Sequence, residues 1–325
     1  MLYPLLFQPI FKERVWGGRN LERLYQKPLP PDKPIGESWE ITDRPEGISV
    51  IANGPLAGRS LRWLMEEHRQ AVLGKDAAPT GPFPVLVKIL DARETLSVQV
   101  HPPAPASASL GGEPKTEMWF ITDAAPEAEL FAGLKAGVTR EDFEKRIEAG
   151  TVAEALHRIP VKAGDTMFLP SGRLHAIGAG NVLFEIQQNS DTTYRVFDWN
   201  RAGLDGKPRE LHIPQSLASI DFADFEPGLI ESKFSRNEVF AVRYMVDHPL
   251  FRVDACRVKR GKRFYLASDS MQILGVVSGR IEVSFEGQSL ALKPGDFCLL
   301  PACLGRCALT AEKATEFLHV QPSAA

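Results

Sequence analysis

Two histidines, a glutamate and a glutamine fall in one stretch of this 325-residue chain at spacings that suit a metal ion. Gln99-Val-His101 comes first, and Glu117 follows 16 residues after His101 (117 − 101 = 16). The run Gly164-x5-Pro170-x-Gly172-x2-His175 completes the set. Two imidazoles, one carboxylate and one amide oxygen make a shell for a divalent ion such as zinc. Thr95-Leu-Ser-Val-Gln-Val-His101 alternates apolar and polar residues, the pattern of a half-buried strand. Leu96, Val98 and Val100 then face one way, and Ser97, Gln99 and His101 the other. The same period puts Lys115 and Glu117 on one strand face, with Met118 and Phe120 opposite.

Short β-prone runs separated by 26 glycines and 25 prolines must hold these side chains, which predicts a mainly β, mostly antiparallel protein. The Gly-x5-Pro-x-Gly-x2-His spacing resembles the second motif of cupins, small double-stranded β-barrels that hold a metal inside. A faint repeat supports two such units. Val161-Lys-Ala-Gly-Asp-Thr-Met-Phe-Leu-Pro170 returns as Leu292-Lys-Pro-Gly-Asp-Phe-Cys-Leu-Leu-Pro301, an offset of 131 residues (295 − 164 = 131). The offset carries Gly172 onto Cys303 and His175 onto Arg306, so the second copy lacks the imidazole. The expected architecture is two cupin-like (jelly-roll) β-barrels with a few helices. The first, residues 1–230, binds metal, and the second, residues 240–325, does not; the boundary lies between 227 and 245.

Two helices interrupt the strands. Ser60 is a good N-cap for a helix over residues 60–74, with Leu61, Leu64, Met65, His68 and Val72 as one stripe and Gly74 at its end. His68 reads as a packing residue of that stripe. The second helix starts at Thr139, with Asp142 three residues on, and runs to about His157 with a break at Gly150 and Thr151. His157 there suits the helix dipole rather than catalysis.

Composition excludes several function classes. The chain is 44% hydrophobic and 24% charged, with a formal charge of −3, so it offers no electrostatic case for nucleic acid or an anionic membrane. No apolar run approaches the roughly 20 residues needed to span a bilayer. Met1-Leu-Tyr-Pro-Leu-Leu-Phe7 lacks the positive start of a signal peptide, which predicts a cytoplasmic protein. Cys256, Cys298, Cys303 and Cys307 contain no Cys-x-x-Cys pair and read as free thiols, with a second zinc site as the weaker alternative.

At this point the chain resembles type I mannose-6-phosphate isomerases (phosphomannose isomerases), especially their short bacterial members. The similarity runs through Pro9-Ile-Phe-Lys-Glu-Arg-Val-Trp-Gly-Gly18, Gly36-Glu-Ser-Trp-Glu40 and Pro84-Val-Leu-Val-Lys-Ile-Leu90. It continues through Leu96-Ser-Val-Gln-Val-His-Pro102, Lys115-Thr-Glu-Met-Trp119 and Asp191-Thr-Thr-Tyr-Arg195. The resemblance implies that Gln99, His101, Glu117 and His175 coordinate one zinc ion per chain. It also implies that Ser97, Lys115, Glu185 and Arg195 line the same cavity, with Lys88 approaching a sugar phosphate. Ala179 stands where the general cupin motif has Asn, a departure this isomerase family tolerates. Trp16 and Trp39 read as packing residues of the N-terminal sheet.

The activity so implied moves a proton between C1 and C2 of an open-chain sugar through a cis-enediol. Zinc would polarise the oxygens, and Arg195 would add fixed positive charge or simply anchor Asp191 or Asp198. Glu185, Lys115 and a metal-bound hydroxide remain open as the base. Two alternatives stand beside this reading. One is an iron-dependent cupin dioxygenase using His101, Glu117 and His175. The other is a non-catalytic sugar-phosphate-binding cupin. The expected partner is a small sugar phosphate, and the sequence does not specify an oligomeric state.

Overall fold

The computed structural model describes residues 1–235, 239–267 and 269–322. In the first half, the five-stranded sheet runs Leu156–Pro160, Glu129–Leu134, His175–Ile177, Val98–Val100, Tyr194–Phe197. The six-stranded sheet of that half runs Thr166–Leu169, Glu117–Ala124, Asn181–Gln188, Val85–Ala92, Ile10–Gly18, Ile35–Ile41. All these pairings are antiparallel, and Val85–Ala92 is buried along its whole length because it is central to its sheet.

The second half repeats the plan with a four-stranded sheet, Arg263–Ala267, Arg306–Ala311, Ile281–Phe285, Gln288–Leu292. Its six-stranded partner runs Leu5–Leu6, Phe297–Leu300, Gln272–Ser278, Thr315–Gln321, Phe251–Val258, Phe240–His248. One element crosses between the halves. Leu5–Leu6, from the N-terminus, pairs with Phe297–Leu300 in register Leu5↔Leu299 and Leu6↔Cys298. The two halves also share one apolar core, in which Phe184 meets Phe297 edge to face at 4.9 Å. Truncating a fully buried ring such as Phe184 costs about 3–5 kcal/mol.

The repeat seen in the sequence is a repeat in space. Gly164 (φ +90°) and Gly295 (φ +83°) turn the chain into the Thr166–Leu169 and Phe297–Leu300 strands. Each needs the left-handed backbone that glycine adopts without a Cβ penalty. In both turns an aspartate caps a lysine amide: Lys162 N donates to Asp165 Oδ2 and Lys293 N to Asp296 Oδ2, each at 2.9 Å.

Ser60 caps its helix as expected, accepting from Trp63 N at 3.1 Å, but the segment is two pieces, Leu61–Glu67 and Arg69–Leu73, hinged at His68. His68 packs edge-on against Trp63 at 5.0 Å. Thr139 and Asp142 form a reciprocal capping box for Arg140–Ala149, which Gly150 ends at φ +69°. The expectation of helix to His157 needs correction. A short 3-10 turn, Val152–Ala155, follows, and His157 lies on the strand Leu156–Pro160, where pairing with Glu129–Leu134 overrides helical propensity. All four cysteines are free thiols, and only Cys303 is exposed. Among the described residues no helix is long and apolar enough to cross a membrane.

Candidate metal centre

The four ligand candidates come from both sheets of the first half. Gln99 lies on Val98–Val100, with His101 just past its end; His175 opens His175–Ile177, and Glu117 opens Glu117–Ala124 in the other sheet. Register brings them together: His175 pairs with Gln99, and Gln99 with Arg195 on its other side. Glu117 Oε2 lies 3.5 Å from His101 Nε2, and its Oε1 lies 3.4 Å from His175 Nε2. His101, Glu117 and His175 are buried, and their nearest ligand atoms lie within 4.8 Å of one another. Gln99 joins them through Nε2, 3.3 Å from His175 Nε2, so half a turn of the amide would present its oxygen.

The imidazoles are oriented from behind. His101 Nδ1 donates to Thr192 O at 2.8 Å and His175 Nδ1 to Arg173 O at 2.9 Å, because a carbonyl can only accept. Each ring therefore turns the lone pair of Nε2 inward, the arrangement that orients metal-binding histidines. His101 Nε2 and Glu117 Oε1 are buried without a hydrogen-bond partner, while Lys115 Nζ lies 2.7 Å from Glu117 Oε2. Leaving a buried polar group unanswered costs about 1–3 kcal/mol, and a metal cation would answer those that remain. Burial, reinforced by Lys115, pushes His101 down to about 3, and burial also lowers His175. Burial works to raise the Glu117 carboxyl, but Lys115 and the imidazoles outweigh it and hold it well below the usual range. The residues present thus fit a divalent ion: neutral imidazoles and an ionised carboxylate at one point.

A cavity of about 560 Å³ opens beside this cluster, and Ser97, Gln99, Lys88, Lys115, Glu185 and Arg195 all line it. Lys115 Nζ sits 2.7 Å from Glu117 Oε2, as the shared strand face predicts. Glu185 pairs in register with Lys88 on one side and Trp119 on the other. Trp119 Nε1 donates to its Oε1 at 2.9 Å, and Lys88 Nζ lies 3.3 Å from Oε2. Burial and the nearby Glu117 raise the Glu185 carboxyl against the pull of Lys115 and Lys88. Lys88 is a fully answered cation, since Asp191 Oδ1 lies 3.5 Å away on another side. Burial works to lower its ammonium, but Glu185, Asp191 and Glu37 hold it above the ordinary value. Arg195 donates from Nη1 to Glu210 O at 2.8 Å, while its Nε is buried without a partner. The anchoring of Arg195 to Asp191 or Asp198 that the sequence left open is not seen as an ion pair among the described residues.

The cavity wall also includes residues that the sequence did not single out for it. Trp16 lines the cavity as well as packing the sheet, whereas Trp39 is wholly buried beneath Lys88. Trp39 Nε1 donates to Glu37 Oε2 at 2.6 Å, and Glu37 in turn holds Arg14 at 2.7 Å. Burial works against the charge of Glu37, but Lys88 and Arg14 bring its carboxyl down to about 2. Glu37 sits inside the Gly36–Glu40 motif, so a signal existed without any indication of which residue it marked. Thr192 acts through its carbonyl, which no side-chain pattern reveals.

Residues 5–116 match the family model "Phosphomannose isomerase type I, catalytic domain", and residues 234–317 match "Mannose-6-phosphate isomerase, cupin domain". The probable mannose-6-phosphate isomerase GmuF of Bacillus subtilis (strain 168) is 36% identical over 326 residues, covering 99% of this chain and 100% of that protein. The crystal structure of the mannose 6-phosphate isomerase from Bacillus subtilis superimposes with a TM-score of 0.87 at 33% identity, over 98% of this chain and 99% of that one. A more distant structure, 18% identical with a TM-score of 0.77 over 99% of this chain and 100% of its own, shares the fold and is described as bound with zinc and yttrium.

Proposed function

Because the chain belongs to the type I mannose-6-phosphate isomerase (phosphomannose isomerase) family, we propose that it interconverts mannose 6-phosphate and fructose 6-phosphate at one zinc ion through a cis-enediol. The observation that carries this reading is the convergence of His101, Glu117 and His175, all buried and with ligand atoms within 4.8 Å of one another, next to a sugar-sized cavity that Gln99 and Lys115 line. Two nitrogens and a carboxylate oxygen, with the Gln99 amide as a fourth donor, suit zinc. The zinc of the distant relative supports the same choice of metal. Bound there, zinc supplies Lewis acidity toward the sugar oxygens.

The remaining work falls to the chain. Glu185 takes the proton from C2 of the open-chain mannose phosphate and returns it at C1, keeping one face of the sugar, as a cis-enediol requires. Its raised carboxyl makes it a stronger base than an exposed glutamate. Trp119 and Lys88 fix its two oxygens, so Lys88 serves the base rather than the phosphate. Lys115 is tied to Glu117 and holds that carboxylate ionised. Arg195 brings a planar guanidinium with a free Nε to the enediol oxygen on which charge develops. Ser97, buried at the cavity wall, offers a hydroxyl to the substrate.

The test is zinc content measured together with conversion of mannose 6-phosphate in solvent deuterium. Glu185→Gln should retain zinc and lose label exchange at C2. A zinc-loaded wild type that binds the sugar phosphate without interconverting it would defeat the catalytic reading, and oxygen consumption would point to the dioxygenase instead.

A further inference from the structure

Arg195 sits on the edge of a sheet. Its strand, Tyr194–Phe197, is the last of the five-stranded sheet, with Val98–Val100 on one side and no strand beyond it among the described residues. An edge leaves backbone donors and acceptors open, and here residues 210–212 meet them. His212 N donates to Arg195 O at 2.7 Å, and Arg195 N donates to His212 Nδ1 at 3.2 Å. Arg195 Nη1 donates to Glu210 O at 2.8 Å. Two of these bonds hold the backbone. The third aims the guanidinium and leaves its buried Nε without a partner.

What keeps Glu210 in place lies outside the sheet. The chain leaves the strand at Asp198 through Trp199 (φ +56°) and Asn200 (φ +53°), two left-handed residues that are not glycine. A tight hairpin follows, in which Ala202 bridges Pro208 and Gly203 N donates to Lys207 O at 2.7 Å. One carboxylate gathers in both ends of it. Asp198 accepts from Arg209 Nε at 2.6 Å and from Arg209 Nη2 at 2.5 Å, a two-pronged contact that fixes direction as well as distance. Arg201 Nη2 donates to the same carboxylate at 2.9 Å, while its Nη1 is held by Thr95 O at 2.6 Å and lies 3.8 Å from Glu94. Arg209 immediately precedes Glu210, so the grip on Arg209 sets where the Glu210 carbonyl points. Asp198 is buried and does not line the cavity, whereas Arg209 does.

Charge gives the same carboxylate a second part. After burial, the charge of Arg209 is what most lowers the Arg195 guanidinium, and Asp198 works in the opposite direction. Asp198 thus offsets the repulsion between two cations that the fold brings close.

We propose that Asp198 is the positioning residue of Arg195: it clamps Arg209, and through it the Glu210 carbonyl that turns the Arg195 guanidinium toward the reacting sugar. The inference rests on the reading of Arg195 as the electrostatic donor and adds what aims it. A donor acts on developing charge only when it is held in the productive geometry, so a loosened clamp weakens it without removing it.

The experiment measures kcat, KM and zinc content for Asp198→Asn, Arg209→Gln and Arg209→Lys, each in the wild type and in Arg195→Ala. In the wild-type background Asp198→Asn should lower kcat about 10- to 100-fold, with zinc retained and KM moving far less. Arg209→Lys keeps the charge without the fork and should fall between the wild type and Arg209→Gln. In Arg195→Ala the same Asp198→Asn change should cost less than about twofold, because no guanidinium is left to aim. Lys207→Ala, an exposed change in the same hairpin, should leave kcat as it was. An equal fold loss in both backgrounds would overturn the clamp. So would wild-type kcat in the folded Asp198→Asn protein, or a loss of the same size in Lys207→Ala. If Asp198→Asn does not fold, Arg209→Gln carries the same comparison of backgrounds. A readout that needs no turnover separates the clamp from the isomerase reading. The magnetic resonance signal of Arg195 Nε–H, assigned by its loss in Arg195→Ala, should shift and exchange faster with solvent in Asp198→Asn. That change in a protein that does not interconvert the sugar phosphates defeats the activity alone, and an unmoved signal with intact turnover defeats the clamp alone.

Discussion

The two halves of the molecule place the same turn and the same strand pair around different chemistry. In the first, Leu169 pairs with Glu117; in the second, 131 residues on, Leu300 pairs with Gln272. Gln272 is buried but answered: its Oε1 lies 2.6 Å from His319 Nε2, and Gln321 Nε2 lies 3.0 Å from the other ring nitrogen. Glu117 is equally buried; Lys115 Nζ lies 2.7 Å from its Oε2, but its Oε1 has no hydrogen-bond partner and faces His175 Nε2 at 3.4 Å. His175 points its Nε2 at Glu117, whereas Arg306, its counterpart by offset, is exposed and lies 3.8 Å over the Tyr265 ring. A buried polar group with protein partners stabilises a fold, whereas several converging on one point without partners mark a place for something else. The second half also contributes to the first mechanically, through the shared core and the exchanged Leu5–Leu6 strand.

The contrast fails most visibly at His175. His175→Ala should reduce isomerisation to background and bring bound metal well below one ion per chain, measured by elemental analysis, since few ligands remain to hold it. Full metal occupancy with normal turnover would mean that the first half is no more a metal site than the second. Arg195→Ala comes next. Loss of one electrostatic donor should lower kcat about 100- to 1,000-fold, or roughly 3–4 kcal/mol, with zinc and melting temperature retained. Arg195→Lys should recover only part, because a point charge lacks the planar fork. A raised KM at constant kcat would assign Arg195 to ground-state binding instead.

A smaller effect concerns pH. Burial leaves His101 near 3 in the folded, metal-free protein, against an ordinary value near 6.5 when unfolded. The unfolded chain therefore takes up the proton first, so stability falls as pH drops from about 6.5 toward 3. Urea midpoints of chelator-treated protein should show this slope, and His101→Gln should flatten it; an identical slope in the variant would remove His101 as its source. Arg306→Ala sharpens the comparison from the other side. It should leave zinc and kcat within about twofold and cost at most about 1 kcal/mol, the worth of an exposed cation–π contact. Loss of zinc there would mean that the second half does more than support.

Much of the site could be read along the chain because its signals are local. Alternation put Gln99 with His101 and Lys115 with Glu117 on common faces, and the turn spacing marked His175, since a strand repeats every two residues wherever it goes. The 131-residue echo likewise reported two similar units and the loss of the second imidazole. What local pattern could not carry was the meeting of elements distant in sequence. That His101 and His175 face Glu117 across two sheets follows from register and sheet packing. So does the pairing of Lys88 with Glu185, which gives an expected phosphate ligand a carboxylate partner inside the protein. His157 became a strand residue because an adjacent strand supplied hydrogen bonds that a helix end could not. The sequence by itself determined which groups were available and on which faces they lay. Only the tertiary structure decided which charges were answered and which were left for a ligand, because pairing depends on distances that burial and register set.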